Sequence, residues 1–368
     1  MVPNNSHVSR RKVLQSTGVS AAALSTLPTA SADDTVKLPF LKQGDTVKRW
    51  LEAPRSWHEH NEHAKRVLER NGRVDDDNVV GCGLGSTSEK MFGGWKGRVI
   101  HYDVLDDSKF NGPDEIEGVP VTVSETGPAK ELCGCYNNKP YDPIPGGASW
   151  SRQGSGLEYD GTACARAHKN GEDYILTANH VMNDSKCTET IGETADQCGN
   201  DVGDVMISNR EEDWALVNDR ITQASSEIDD TYYLRTLKGH VTQTGLYNLK
   251  NAGIDICKAG ASSGRTCSDI RYTNYQYTED CRDFKNNGMS TYVDATHRDS
   301  GAPFYWLDEN YDAWLCGLLT YAHENDKAGY SECGMDMHDS TFGISAEHLY
   351  YDHGISFGEG GRTDAEGV

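Results

Sequence analysis

Leu176-Thr177-Ala178-Asn179-His180-Val181, Asp213-Trp214-Ala215-Leu216-Val217 and Arg298-Asp299-Ser300-Gly301-Ala302-Pro303 decide how this chain reads. Each carries one member of a three-part chemical unit: an imidazole, a carboxylate and a hydroxyl. A hydroxyl is a weak nucleophile until a neutral imidazole takes its proton, and the imidazole needs a buried carboxylate to hold its tautomer. His180 follows a strand-like run at 174–178, where the chain turns and a ring can face a cleft. Asp213 precedes an apolar run whose burial would shield its bond to that ring. Ser300 lies in a turn bounded by Gly and Pro, where its own N–H can face a developing oxyanion. A lone histidine or a Ser-Gly pair is commonplace; the three together in the order His, Asp, Ser are not.

In that order and with those flanks, the chain resembles the chymotrypsin/trypsin family of serine endopeptidases across residues 145–355. The family pattern is TAAHC around the histidine and GDSGGP around the nucleophile. A further segment, Cys257-Lys258-Ala259-Gly260-Ala261-Ser262-Ser263-Gly264-Arg265-Thr266-Cys267, is similar to the CxSGxTTGxxC stretch of the secreted, bacterial streptogrisin-like branch. The resemblance implies a Cys257–Cys267 disulfide and an ion pair of Lys258 with Asp299, since a buried carboxylate beside the nucleophile needs a cation. A metal-binding cysteine pair is the competing reading, with no matching histidine cluster to complete it. The resemblance also assigns the oxyanion donors to the N–H groups of Arg298 and Ser300. It places Asp294, six residues before Ser300, at the floor of a specificity pocket selecting Arg or Lys. On a loop built differently, Asp294 would simply be solvated. Thr320-Tyr321-Ala322 resembles the strand that pairs with the substrate backbone.

The chain departs from the family pattern at three points. Arg298 stands where Gly is usual, and Gly there would permit a positive φ or close backbone approach. Val181 replaces the cysteine after the histidine, and Thr296 replaces one near the pocket floor. Pairings of Cys164 with Cys187 and of Cys316 with Cys333 are the alternatives this leaves. Arg298 also opens a second functional reading: a catalytically inactive binding protein on the protease fold. Retention of all three polar residues argues against it, since binding alone does not need them.

Composition restricts the partners. The 368 residues carry 57 acidic and 35 basic side chains, for a net charge of −22. Such a surface disfavours nucleic acid and anionic membranes, and it suits a high-salt setting that screens self-repulsion. Polypeptide substrates, no cofactor, no metal, no membrane insertion and a monomer are expected. Ser9-Arg10-Arg11-Lys12-Val13-Leu14, the mildly apolar stretch that follows and Ala30-Ser31-Ala32 resemble a twin-arginine export signal, so a secreted protein is expected. Eleven cysteines fit an oxidising compartment.

The organisation follows: residues 1–32 as signal, 33–140 as a small α+β pro-region or accessory domain, 141–356 as the trypsin-like domain, and 357–368 as a disordered tail. Ser56-Trp57-His58-Glu59 has the form of a capping box opening a helix to 69. Its histidines (His58, His60 and His63) miss both zinc-protease spacings and read as an exposed polar face. Short β-branched runs at 79–82, 97–104 and 118–123 read as strands. Pro140, Pro143 and Pro145 mark a linker at 130–147, and Cys133 and Cys135 belong to a disulfide framework. Beyond it, strand-like runs recur at 174–178, 204–207, 215–217, 253–256, 314–320 and 341–344, with no helix until 345–351. These runs suggest an antiparallel barrel or sandwich; the family resemblance implies a mainly β fold of two antiparallel β-barrels with a C-terminal helix, after a small α+β domain.

Overall fold

The strand Glu172–Thr177 runs antiparallel to Trp214–Asn218, with Ile175 opposite Val217 and Thr177 opposite Ala215. Trp214–Asn218 is buried throughout, as is the first strand from Tyr174 to Thr177, and the two lie near the centre of an eight-stranded sheet. Its core is Ala148, Trp150, Ile175, Val181, Val205 and Val217. A larger sheet carries the remaining strands except the separate pair Lys327–Tyr330 and Asp336–His338, and a second apolar cluster (Leu176, Trp214, Ile228, Leu237, Leu315 and Phe357) packs between the two large sheets. The chain is thus mainly β, as the turn-punctuated runs predict. The computed structural model describes residues 34–71, 78–92, 94–125, 129–130, 140–154, 161–183, 188–220, 223–279, 282–323, 327–330 and 336–358. The export-signal reading, Cys133, Cys135, Cys187 and Cys333 lie outside them.

Several expectations about elements need correction. Gln243–Ala252 is a helix, although the sequence there reads as non-helical. Thr242 caps it by accepting from Gly245 N, and Gly253 ends it at φ +64°. Gly245 and the amides dilute its helical period, yet Leu246, Tyr247 and Leu249 are buried. The strand expected at 253–256 accordingly starts later, as Ile256–Gly260. The first helix begins at Arg55, so Ser56 lies inside its first turn and not ahead of it. Its histidine face is not simply exposed, because Trp57, His60, Ala64, Val67 and Leu68 are buried against the sheet. The C-terminal helix Ala346–Tyr351 agrees with its sequence signals, with Ser345 capping and Gly354 at φ +63°. Phe357, read as the start of a loose tail, is fully buried and pairs with Ala167.

Residues 34–130 do more than precede the rest. A hairpin missed in the sequence, Thr35–Gln43 with Thr46–Pro54, turns at Gly44, whose φ is +54°. It pairs with the larger sheet at Leu41 opposite Val241, and Val79–Phe92 pairs with Ile270–Glu279. Trp57 stacks on Tyr247 with ring centroids 4.9 Å apart, and the Arg98 guanidinium lies 3.5 Å over the same ring. Asp103 is fully buried and bonded to Arg271 at 2.9 Å and to the Tyr275 hydroxyl at 2.8 Å. Arg271 draws the Asp103 carboxyl well below its usual range, against the opposing effect of burial. Breaking such a contact would strand a charge in the interior. Among the described residues, no helix is long and apolar enough to cross a membrane.

Candidate active site

The antiparallel pairing just described brings two separated residues together. Asp213 lies immediately before Trp214–Asn218, and His180 lies just past the end of Glu172–Thr177, in the short turn Asn179–Met182. The Asp213 carboxylate is 1 % exposed and accepts twice from one residue. His180 N donates to Oδ1 at 2.9 Å and the ring Nδ1 donates to Oδ2 at 2.7 Å. A carboxylate can only accept, so the proton sits on Nδ1 and Nε2 presents a lone pair. Asp213 itself has φ +54°, a region that Asp tolerates better than most residues. Asn179 N donates to its carbonyl at 3.1 Å, which holds the turn.

Ser300 is 1 % exposed, and its carbonyl accepts from Thr162 N at 2.8 Å. Its hydroxyl donates to Thr320 O at 3.2 Å. The next residue, Tyr321, stacks on the His180 ring with centroids 5.2 Å apart, so serine and imidazole share one locality. The serine–imidazole hydrogen bond is not formed: among the described residues His180 Nε2 has no hydrogen-bond partner. The neighbouring amides are engaged, Asp299 N with Thr296 O and Gly301 N with Leu319 O. Gly301 has φ +92°, and a Cβ there would lie 2.1 Å from Thr162 O.

Arg298 adopts φ +67°, the left-handed conformation that a glycine at this position would take freely. Its carbonyl accepts from Thr162 Oγ1 at 2.8 Å. The expected ion pair is present: Lys258 Nζ lies 3.0 Å from Asp299 Oδ2, with both side chains fully buried. Asp299 also accepts from Ser262 N (2.9 Å), Ser263 N (3.1 Å) and Thr296 N (3.0 Å), and from the Ser263 hydroxyl. Burial holds the Lys258 ammonium below its usual range, and Asp299 partly offsets this. Cys257 and Cys267 are disulfide-bonded, closing the hairpin that carries Lys258. Cys164 and Cys316 are buried thiols. The partners considered for them are among the residues not described.

Asp294 is half-buried. Burial pushes its carboxyl up, and Asp339 adds to this while Lys258 opposes it. Two carboxylates of like sign therefore stand near one another beside the loop leading to Ser300. Thr320, Tyr321 and Ala322 lie in the fully buried strand Ala313–His323. Ala322 and His323 pair antiparallel with Lys130 and Ala129. The chain's own N-terminal region thus lies alongside the end of the strand expected to pair with substrate.

The histidines of the first helix go separate ways. His60 Nε2 accepts from Arg98 N at 2.8 Å, while His63 meets Glu117 O at 2.8 Å. Sequence reasoning missed Thr162, which braces both Arg298 and Ser300. It also missed Gly260, where a Cβ would lie 2.2 Å from the Asp299 carboxylate. Gly260 sits inside the very segment that carries the streptogrisin-like pattern, and that was the available signal.

No family model matches the chain, and no curated protein resembles it in sequence. Among solved structures it is similar to a glutamic-acid-specific serine protease described as using a histidine triad in substrate binding. That likeness has a TM-score of 0.43 and 17% identity, covering 58% of this chain and 100% of the other. Thermobifida fusca protease A follows at 0.41 and 17%, covering 59% and 99%. An alpha-lytic protease homologue, N4, gives 0.39 and 14%, covering 58% and 98%.

Proposed function

We propose that the chain is a serine endopeptidase. The observation that carries this is the pair of hydrogen bonds from His180 to the Asp213 carboxylate, which leaves Nε2 as a base in the locality of Ser300. In the reaction, Ser300 Oγ turns from Thr320 O towards His180 and attacks the scissile carbonyl. The hydroxyl proton passes to Nε2, and the new imidazolium is stabilised by Asp213. Collapse of the tetrahedral intermediate breaks the C–N bond, and Nε2 returns the proton to the leaving amine. Water then resolves the acyl-enzyme by the same route. The N–H groups of Ser300 and Arg298 would hold the oxyanion.

Asp294 with Asp339 nearby supports a preference for Arg or Lys, since a substrate cation would relieve two adjacent carboxylates. The Ala129–Lys130 pairing supports self-inhibition by the N-terminal unit, which would have to leave that strand before substrate could use its full length. The signal-like segment at 1–32 supports export, and the charge of −22 a high-salt environment.

The test is labelling by a fluorophosphonate probe in concentrated salt, before and after limited proteolysis within the expected linker at 130–147. Labelling should depend on Ser300 and His180, and vanish in Ser300→Ala. A folded, linker-cleaved protein that takes no label would favour the inactive binding protein instead. Arg, Lys, Glu and Phe peptides then address specificity, with the Arg advantage lost in Asp294→Asn.

A further inference from the structure

Glu212, the residue before Asp213, stands between two imidazoles that the reaction does not use. Its Oε1 is 2.9 Å from His348 Nε2, and its Oε2 is 2.5 Å from His353 Nε2. The two rings are 5.1 Å apart and nearly perpendicular, at 78°. Asn287 Nδ2 lies 2.7 Å from Glu212 Oε1 and 2.9 Å from His348 Nε2. Trp214 Nε1 and Asn209 Nδ2 both donate to Oε2 at 3.2 Å. One donor atom from each of Glu212, His348 and His353 falls within 4.8 Å of the others. The side chains are 15 %, 13 % and 21 % exposed, so the group is enclosed but reachable from solvent.

The hydrogen-bond inventory points to a cation. His348 Nδ1 lies 2.6 Å from Asp352 Oδ2, and a carboxylate there requires the ring proton on Nδ1. In the neutral ring, Nε2 is then a lone pair, and it faces Glu212 Oε1, which is also only an acceptor. Two acceptors 2.9 Å apart repel unless positive charge lies between them. A carboxylate on the far nitrogen is also the partner that metal-bound histidines commonly have, because it fixes the tautomer and raises basicity.

We propose that Glu212, His348 Nε2 and His353 Nε2 form a binding site for a divalent transition-metal ion. Two imidazoles and one carboxylate with a fourth, solvent-facing position suit zinc. Bonds of about 2.0–2.2 Å in a tetrahedron set ligand atoms roughly 3.3–3.6 Å apart. Filling the site therefore means opening both Glu212 contacts by about 0.5–1 Å, through rotation of side chains that already reach solvent. The ion would clip the end of the chain, His348 in the last helix and His353 just after it, onto the turn that leads into Asp213. This site is independent of the proposed peptidase chemistry, and its test does not use activity.

The experiment titrates cobalt(II), then zinc(II), into the chelator-treated, dialysed full-length protein, read by visible absorption and equilibrium dialysis. One cobalt per chain with the intense bands of tetrahedral geometry, displaced by one zinc, is expected. His348→Gln and His353→Gln should each lose that equivalent, while His63→Gln keeps it. Failure of the folded, unmutated protein to bind either metal overturns the proposal. Unchanged stoichiometry in both variants also overturns it.

Discussion

Replacing Lys258 by Met removes the cation beside Asp299 and leaves a fully buried carboxylate without its counter-charge. At 3.0 Å and an effective dielectric constant of about 20, the direct attraction is on the order of 5.5 kcal/mol. The variant no longer has to bury an ammonium, which offsets part of this. Asp299 also keeps three backbone N–H donors, from Ser262, Ser263 and Thr296. A net loss of about 3–5 kcal/mol is expected, as for other buried pairs broken on one side. The assay is urea unfolding of the full chain in a Ser300→Ala background, which prevents self-cleavage, at constant salt. The midpoint should fall with little change in slope. Adding Asp299→Asn to Lys258→Met should restore most of the loss, because the uncompensated charge is then gone. A loss below about 1 kcal/mol in the single variant, or no recovery in the double variant, would refute the assignment of Lys258 as the neutralising partner.

Three other changes have defined outcomes. Arg298→Gly relieves a left-handed φ worth roughly 1–2 kcal/mol but adds about 0.4–1 kcal/mol of unfolded-chain entropy, so stability should shift by no more than about 1 kcal/mol. Because the backbone already holds the glycine-like conformation, kcat/KM should rise less than tenfold; a hundredfold gain would show that Arg298 had blocked the oxyanion site. Breaking the Cys257–Cys267 bond, ten residues apart, by Ala substitution should cost about 2.7 kcal/mol in unfolding free energy. An unchanged urea midpoint would count against a closed hairpin in solution. His60 is pushed down to about 4, first by burial and then by Arg98. Its unfolded form protonates near 6.5, so its neutral state supports the fold above that pH. That support drains as pH falls from 6.5 to 4, by about 3 kcal/mol in all. An NMR titration showing His60 protonated at pH 6 would contradict this.

The residues with demanding chemistry were the most legible. Imidazole, carboxylate and hydroxyl sit at strand ends, where turn residues mark the boundaries, and the two cysteines flank a pattern with its own cation. Arg298 was read as a conflict, and the conflict proved to be real: the backbone takes φ +67° despite the side chain. What stayed hidden depends on distant packing. The helix Gln243–Ala252 has weak local preference and is stabilised by Tyr247 meeting Trp57 and Arg98, residues about 150 to 190 positions away. Glu212 looks like one more surface acid in an acidic chain until His348 and His353 fold over it. Thr162 has no motif at all; it matters because strand order puts it under the nucleophile's turn.

Under the proposed self-inhibition, the pairing of Ala129–Lys130 against Ala322–His323 would tie access to that strand to covalent continuity. While the backbone between the two regions is intact, the paired segment would be present at a fixed effective concentration, and diluting the protein would not release it. A single nick turns the same contact into an ordinary dissociable complex, still held by the Asp103–Arg271 pair and the hairpin at Leu41. Onset of turnover after cleavage would then follow a first-order dissociation rate, slower than the cut itself, while the fraction released would rise on dilution.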